Sequence, residues 1–307
     1  MSAPIAITCG DPAGVGLELV DRWLEANPSW ASRLCVIGPQ AWAESCKARG
    51  ASAVVVGKDA YTPEPGNPTE PGARFAWEAL EIASGGVLAG EFSSVVTCPI
   101  SKEWMQRVGF PFPGHTEFFA ERWCGTPTMA FVGESLTVAL ATWHIPFSRV
   151  PAALSPPVLE HTIASLDQLL QSRGIAAPRI GVCGLNPHAG EQGLLGSEER
   201  DWINSCLDEL RCLYPGLSDT QPADTLFWRH RQGEFDAIVA LYHDQGLAPL
   251  KTLEFDAAVN ITLGIKHIRT SPDHGTGFSI AGKGIASFKS LHRAILLADE
   301  LSVACHT

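Results

Sequence analysis

The side chains best suited to chemistry crowd into one stretch, Ala240 to Ser287, which reads ALYHDQGLAPLKTLEFDAAVNITLGIKHIRTSPDHGTGFSIAGKGIAS. An apolar run from Phe235 to Leu241 reads as a buried strand and breaks off in His243, Asp244, Gln245 and Gly246. A second run, Ala257 to Leu263, carries Asn260 in its middle, and a polar loop with Arg269, Asp273, His274, Gly275 and Thr276 is expected after it; Lys251 lies between the two runs. An imidazole, a carboxylate, an ammonium, an amide and a guanidinium brought together suit an anionic substrate that also chelates a metal. Taken singly, each is equally well explained as a polar residue at a strand end or in a loop.

Histidines recur after strand-like runs. Leu136 to Thr142 leads into Trp143-His144, Ile180 to Leu185 into Asn186-Pro187-His188, and Phe235 to Leu241 into His243. In parallel sheets the carboxyl ends of strands share one edge, where ligands bind. Three imidazoles there would hold a divalent ion and leave positions open for substrate oxygens. No HExxH-type spacing supports this, so three satisfied, partly buried histidines remain an equal alternative. Lys102 follows the strand Ser94 to Thr97, and His115-Thr116-Glu117 opens a helix behind Pro113-Gly114. A helix start of that kind is an anion seat, or Thr116 is only its cap. Histidines 161, 230, 267, 292 and 306 read as solvated, Asp224 as a helix cap and Phe227 as a packing residue.

Alternating strands and helices must position these groups. Ile5 to Cys9, the turn GDPAGVG and a helix over 17–26 form a β-turn-α unit. Glycines at 10, 14 and 16 do not make GxGxxG, and no acidic residue closes a second strand about 20 positions on, so a dinucleotide fingerprint is missing. The turn serves either a sharp reversal or the delivery of Asp11 to a cleft. A strand at Arg33 to Gly38, helix 39–49, a strand at Ala53 to Val56, a surface loop at 61–72 and helices at 73–84, 156–173 and 197–213 complete the pattern of two α/β lobes.

Bulk properties narrow the class. A chain of 307 residues, 45% hydrophobic and 18% charged, can bury ordinary cores without staples. A formal charge of -11 opposes non-specific nucleic-acid binding, so an anionic substrate needs a local basic pocket. Nine cysteines without a CxxC pair argue against a disulfide framework and a zinc ribbon and fit a reducing cytosol. The N-terminus lacks the features of a signal peptide, no run of about 18 apolar residues could span a bilayer, and no repeat is present.

ITCGDPAGVG, GHTEFFA, LATWHIP, GLNPHAGE, PADTLF, ALYHDQGLAPLK, VNITLG, IRTSPDHGT and AGKGIAS follow one another over nearly the whole chain. In this order they resemble the 4-hydroxythreonine-4-phosphate dehydrogenase family of pyridoxal phosphate biosynthesis. The resemblance implies an α/β fold of two α/β/α lobes around a cleft, like isocitrate and isopropylmalate dehydrogenases, with 1–125 plus 280–307 in the first lobe and 126–279 in the second. It implies His144, His188 and His243 as ligands of one divalent ion (zinc, magnesium or cobalt), and His115, Thr116, Lys251, Asn260 and Arg269 as substrate contacts. The stretch DHGTGFSIAGKGIAS is similar to the cofactor loop of the decarboxylating dehydrogenases, which assigns Asp273, His274 and Gly275 to NAD or NADP.

The implied reaction is oxidation of 4-phosphohydroxy-L-threonine to a 3-oxo acid that loses carbon dioxide, with Lys251 or Asp244 as proton acceptor, in a cytoplasmic homodimer whose chains share their active sites. Oxidation of 4-phospho-threonate or erythronate, and non-catalytic phosphosugar binding, are the rival readings. Family members carry a small residue where Trp143 stands, methionine where Cys9 stands, and a glycine-rich stretch in place of QGLLG after Glu191.

Overall fold

A computed structural model describes residues 3–57 and 61–304. Strands form at Ile5–Thr8 (β1), Leu34–Gly38 (β2), Ser52–Val55 (β3), Ser94–Thr97 (β4), Thr128–Val132 (β5), Thr137–Leu140 (β6), Ile180–Cys183 (β7), Leu217–Gln221 (β8), Ala237–Ala240 (β9), Val259–Leu263 (β10) and Arg269–Pro272 (β11). The chain divides into two compact units: Met1–Gly125 with Ile265–Thr307, and Thr126–Gly264.

In unit 1 the strand order is β3-β2-β1-β4-β11, parallel throughout. A parallel sheet is covered on both faces and its strands are apolar almost continuously; β1, β2 and β4 are buried at every position. The helix Glu70–Leu88 starts earlier than its apolar spacing predicts. Thr69 Oγ1 accepts from Gly72 N at 3.2 Å, and Pro71 is tolerated in a first turn. Its buried face is mostly small (Ala73, Ala76, Ala79, Ala83), which lets it lie close on the unit's core.

Unit 2 has the order β10-β5-β6-β9-β7-β8. β5 runs antiparallel to both its neighbours, β10 and β6, whereas β6, β9, β7 and β8 are mutually parallel. Its core joins Phe131, Val138, Leu140 and Ile238 from the strands to Leu226 and Phe227 of the helix Ala223–Arg231 and Leu247 and Leu250 of the helix His243–Glu254.

Several expectations need correction. Residues 265–279, placed by the sequence in the second lobe, belong to unit 1, because β11 pairs with β4. Arg269 accordingly sits on a buried strand and not in a polar loop. His230 is buried, not solvated: its Nε2 accepts from Thr137 N at 3.0 Å and its Nδ1 meets the Phe235 carbonyl at 2.8 Å. His161 and His292 are also bonded within the fold, to the Thr126 carbonyl and the Trp23 indole; His306 lies outside the described residues. The helix Ala223–Arg231 has no side-chain cap, so Asp224 stands in its first turn without capping it, while Phe227 packs as expected. Among the described residues no helix is long and apolar enough to cross a membrane, and all eight described cysteines are free thiols.

Candidate active site

In unit 2, β6, β9 and β7 are adjacent and parallel, so their carboxyl ends share one edge, and His144, His243 and His188 follow those ends. The His144 and His243 rings stand 5.6 Å apart by centroid and line one cavity of about 330 Å³ with Thr142, Trp143, Tyr242 and Asp244. Two imidazoles on one ion, each bonded at about 2 Å, would place their centroids roughly 5 Å apart. The pair therefore fits two positions on one divalent cation. Asp244 Oδ1 meets His243 Nδ1 at 2.7 Å, an outer contact that fixes the ring and leaves Nε2 as the outward nitrogen. Asp244, named beside Lys251 as a proton acceptor, has a side chain 87% exposed.

His188 is not grouped with them. Among the described residues no three His, Cys, Asp or Glu side chains stand close enough together to hold a metal. His188 opens a left-handed turn in which every residue from His188 to Gln192 has positive φ. Each non-glycine residue there costs about 1–2 kcal/mol. The turn is tied at its start by the buried Glu199, whose oxygens accept from Asn186 N at 2.7 Å and Asn186 Nδ2 at 3.0 Å. His144 also has positive φ, at +49°. Lys251 lies two turns beyond His243 on the same helix, about 12 Å along its axis. Glu254 fixes the far end of that helix by accepting from Ser135 N at 2.7 Å and Ser135 Oγ at 2.6 Å. Asn260 sits half-buried in β10 opposite Phe131.

In unit 1, β1, β4 and β11 are likewise parallel neighbours, and beyond their ends come Asp11, Lys102 and Asp273-His274. Arg269 is 2% exposed and gives Nε and Nη2 to Thr97 Oγ1 at 3.1 and 2.7 Å. Burial pushes its guanidinium down to about 9, against which the Glu117 carboxylate works, so it stays cationic at neutral pH. His115 is the first residue of the helix His115–Arg122, and its enclosed Nε2 has no hydrogen-bond partner. Burial first, then the Arg269 and Lys102 charges, hold His115 well below its ordinary value, as a neutral imidazole. Gly114 precedes this helix and no side chain caps it; Thr116 is buried in its first turn, which removes the capping alternative.

Lys102 belongs to this cluster although the sequence reading left it out of the substrate contacts. Its Cε lies 3.8 Å from where a Cβ on Gly114 would stand, so the ammonium arm reaches toward the helix start. The signal was its place after β4. A buried guanidinium, an ammonium, an unpartnered imidazole nitrogen and a helix N-terminus make an anion seat.

The glycine turn of β1 is not a second one. Gly14 N donates to the Asp11 carbonyl at 2.9 Å, Ala13 N to Asp11 Oδ1 at 3.1 Å and Val15 N to the Thr276 carbonyl at 2.8 Å, so these donors are spent within the chain. A Cβ on Gly14 would come 2.6 Å from the Thr276 carbonyl oxygen. The turn is thus a seat for the 273–277 loop. Asp11 itself is 2% exposed, and burial raises its carboxyl. In the loop, Asp273 N donates to Ser290 Oγ at 3.1 Å, His274 Nδ1 meets the Gly275 carbonyl at 2.9 Å, and His274 Nε2 is enclosed without a partner. A Cβ on Gly275 would meet nothing within 4 Å.

The profile of the family described as pyridoxal phosphate biosynthetic protein PdxA matches residues 27–298. The chain belongs to the PdxA family. A curated relative, the 4-hydroxythreonine-4-phosphate dehydrogenase of Aromatoleum aromaticum, is 43% identical over 324 residues, covering 98% of this chain and 97% of its own. The crystal structure of 4-hydroxythreonine-4-phosphate dehydrogenase from Klebsiella pneumoniae superposes with a TM-score of 0.84 at 32% identity, covering 98% of this chain and all of that one. A β-decarboxylating dehydrogenase from Thermococcus kodakarensis, 14% identical with a TM-score of 0.52, covering 99% of this chain and 84% of its own, shares the fold. This PdxA-family chain is thus a dehydrogenase, an oxidoreductase acting on a CH–OH group, and its α/β fold with the decarboxylating-dehydrogenase likeness is as the sequence implied.

Proposed function

We propose that the protein oxidises 4-phosphohydroxy-L-threonine with NAD or NADP to 2-amino-3-oxo-4-phosphooxybutanoate, which decarboxylates to 3-amino-2-oxopropyl phosphate in pyridoxine 5'-phosphate biosynthesis in the cytoplasm. The observation that carries this choice of substrate is the anion seat of unit 1, where the enclosed His115 Nε2 has no hydrogen-bond partner and the buried Arg269 guanidinium supplies positive charge beside it. Arg269, Lys102, His115 and Thr116 take the phosphate; Asn260 takes a polar group of the substrate. His144 and His243, joined by His188 once its turn closes, hold a divalent ion, zinc, magnesium or cobalt. Such an ion, when bound, lowers the pKa of a chelated hydroxyl.

Lys251 would take the hydroxyl proton; Asp273, His274 and Gly275 would hold a nicotinamide cofactor, which when bound supplies the acceptor for the C3 hydride. Asp244 keeps the His243 ring in register. Loss of carbon dioxide from the resulting 3-oxo acid leaves its electron pair on C2, which is then protonated. The working unit on this reading is a homodimer with shared sites. Phe147, Leu194 and Leu195 stand exposed near the histidine edge of unit 2, at 69%, 82% and 46%, and a second copy would cover them.

The test incubates metal-replete protein with 4-phosphohydroxy-threonine or 4-phospho-threonate and follows reduced nicotinamide and released carbon dioxide. Turnover of the first by a kcat/KM at least tenfold above the second is expected; the reverse order would replace the substrate, and no reduction with either would end the reading. For the dimer, co-refolded His144→Ala and Lys251→Ala chains should regain part of the activity neither has alone. A monomeric mass with full activity at nanomolar protein would refute sharing.

A further inference from the structure

Backbone pairing at the histidine edge of unit 2 stops short of the histidines. The last β6–β9 pair is Leu140 with Ala240, followed by Ala141 N donating to the Ala240 carbonyl at 2.8 Å, and the last β7–β9 pair is Val182 with Val239. Beyond that point side chains take over. Leu241, one residue past β9, has its carbonyl bonded by Thr142 Oγ1 at 2.7 Å and donates its N–H to Gln245 Oε1 at 2.7 Å. Gln245 Nε2 in turn donates to the Gly184 carbonyl at 2.7 Å. Thr142 leads to His144, Leu241 to His243 and Gly184 to His188. One backbone residue is thus lashed to both neighbouring exits, one lashing joining the His243 exit to that of His144 and the other joining it to that of His188.

We propose that Gln245 is a positioning residue for the histidine set, with Thr142 as its counterpart on the β6 side. The amide is used in both senses, its oxygen as acceptor for one exit and its nitrogen as donor to the other, so an isosteric carboxylate cannot replace it: the face toward Gly184 would set oxygen against oxygen. Metal ligands must be held within about 0.5 Å of their working geometry, and loss of outer contacts costs roughly 10–100-fold in metal affinity. Gln245 also bears on His188, the ligand not yet grouped with the others, because the bond to Gly184 sets the direction in which that exit leaves β7.

This inference rests on the metal reading above, and its test separates the two. Cobalt(II) is titrated into metal-free wild type, His243→Ala, Gln245→Glu, Thr142→Val and Thr142→Ser, following the visible d–d bands, with thermal melts as a folding control. Wild type should bind one cobalt and His243→Ala should not. Gln245→Glu and Thr142→Val should melt as cooperatively as wild type but bind cobalt 10–100-fold more weakly with altered bands; Thr142→Ser, which restores the hydroxyl, should return to wild-type values. KM for the phosphorylated substrate should stay within about twofold, because the anion seat is untouched. Wild-type cobalt affinity and bands in both Gln245→Glu and Thr142→Val would overturn the positioning role alone, and Thr142→Val keeps the test decisive if Gln245→Glu does not fold. Equal binding by wild type and His243→Ala would take down the metal reading and this inference with it.

Discussion

The two units solve the same problem at the carboxyl ends of three parallel strands and reach different states of readiness. In unit 1 the functional groups are enclosed and already positioned: Arg269 lies on a strand, bonded to Thr97, and His115 is fixed by its helix. In unit 2 the groups are incomplete and more open, with His144 and His188 on left-handed backbone, His243 at the start of a helix, His144 and His243 paired and His188 apart. An anion seat is built from strong donors that the fold can bury against each other's hydrogen bonds. A cluster of imidazoles has no attraction of its own until a cation arrives, so the fold supplies lashings and strain and leaves closure to the ligand.

The comparison is tested most severely by removing ligands from the open edge. His144→Ala and His243→Ala should each lower kcat by at least about a thousandfold and abolish stoichiometric zinc or cobalt after dialysis, with melting temperature nearly unchanged since both side chains are exposed. His188→Ala discriminates further. Equal loss would show that the turn closes during catalysis; full metal content and activity would remove His188 from the set.

On the closed edge, Arg269→Ala should lower kcat/KM by two to three powers of ten, because a charged hydrogen bond is worth about 1.5–3 kcal/mol and the cavity left behind is not refilled. Unlike the histidine variants it should also destabilise the fold, since Thr97 loses its partner in the interior. Lys102→Ala should cost about tenfold, nearly all in KM, as an exposed arm pays less desolvation. Unchanged kinetics in both variants would dismantle the seat.

Much of this was legible in the sequence wherever one strong local signal decided the structure. The apolar runs ending at His144, His188 and His243 announced parallel strands, and the runs did become neighbours in one sheet. β5, β8 and β11 were missed: TMAFV is a short apolar run that periodicity alone does not separate from a helix segment, while LSDTQ and RTSP carry no apolar period, β8 being an edge strand and β11 owing its burial to pairing with β4, which lies far away in sequence. The placement of Arg269 and the grouping of residues 265–279 with unit 1 depend on that same long-range pairing. Lys102 was not expected among the substrate contacts because nothing local says which way a lysine arm turns, nor was the turn at His188, because six successive positive φ values have no compositional marker outside glycine. His230 looked solvated because its two partners, Thr137 and Phe235, sit on either side of it through the fold.

Acid should expose a subtler difference. His115 and His230 are both held below their ordinary value, chiefly by burial. Between the folded pKa and about 6.5 the unfolded chain binds protons that the folded chain does not, so stability rises with pH across that window and is lost as pH falls below about 6.5. Melting temperature should therefore drop between pH 7.5 and 5.5, by roughly 2–4 °C for each kcal/mol lost. Inorganic phosphate should blunt the drop through His115, whose enclosed nitrogen then faces an anion, and His230→Gln should flatten the remainder. A melting temperature flat over this range would contradict both assignments.

The smallest effect is expected at Gly275, and it asks whether the 273–277 loop faces a ligand at all. Its neighbour Gly14 is held close to the chain, since a methyl there would press on the Thr276 carbonyl 2.6 Å away, whereas a methyl on Gly275 meets open space. Gly14→Ala should therefore lower the melting temperature, while Gly275→Ala should leave it unchanged or raise it slightly by restricting the unfolded chain. If the loop carries the nicotinamide cofactor, the Gly275 methyl occupies room the cofactor needs, and cofactor KM should rise severalfold with the KM for phosphorylated substrate unaltered. A Gly275→Ala protein with wild-type cofactor KM would leave the loop as scaffold and move the cofactor elsewhere. A rise in substrate KM instead would place this part of the loop beside the anion seat.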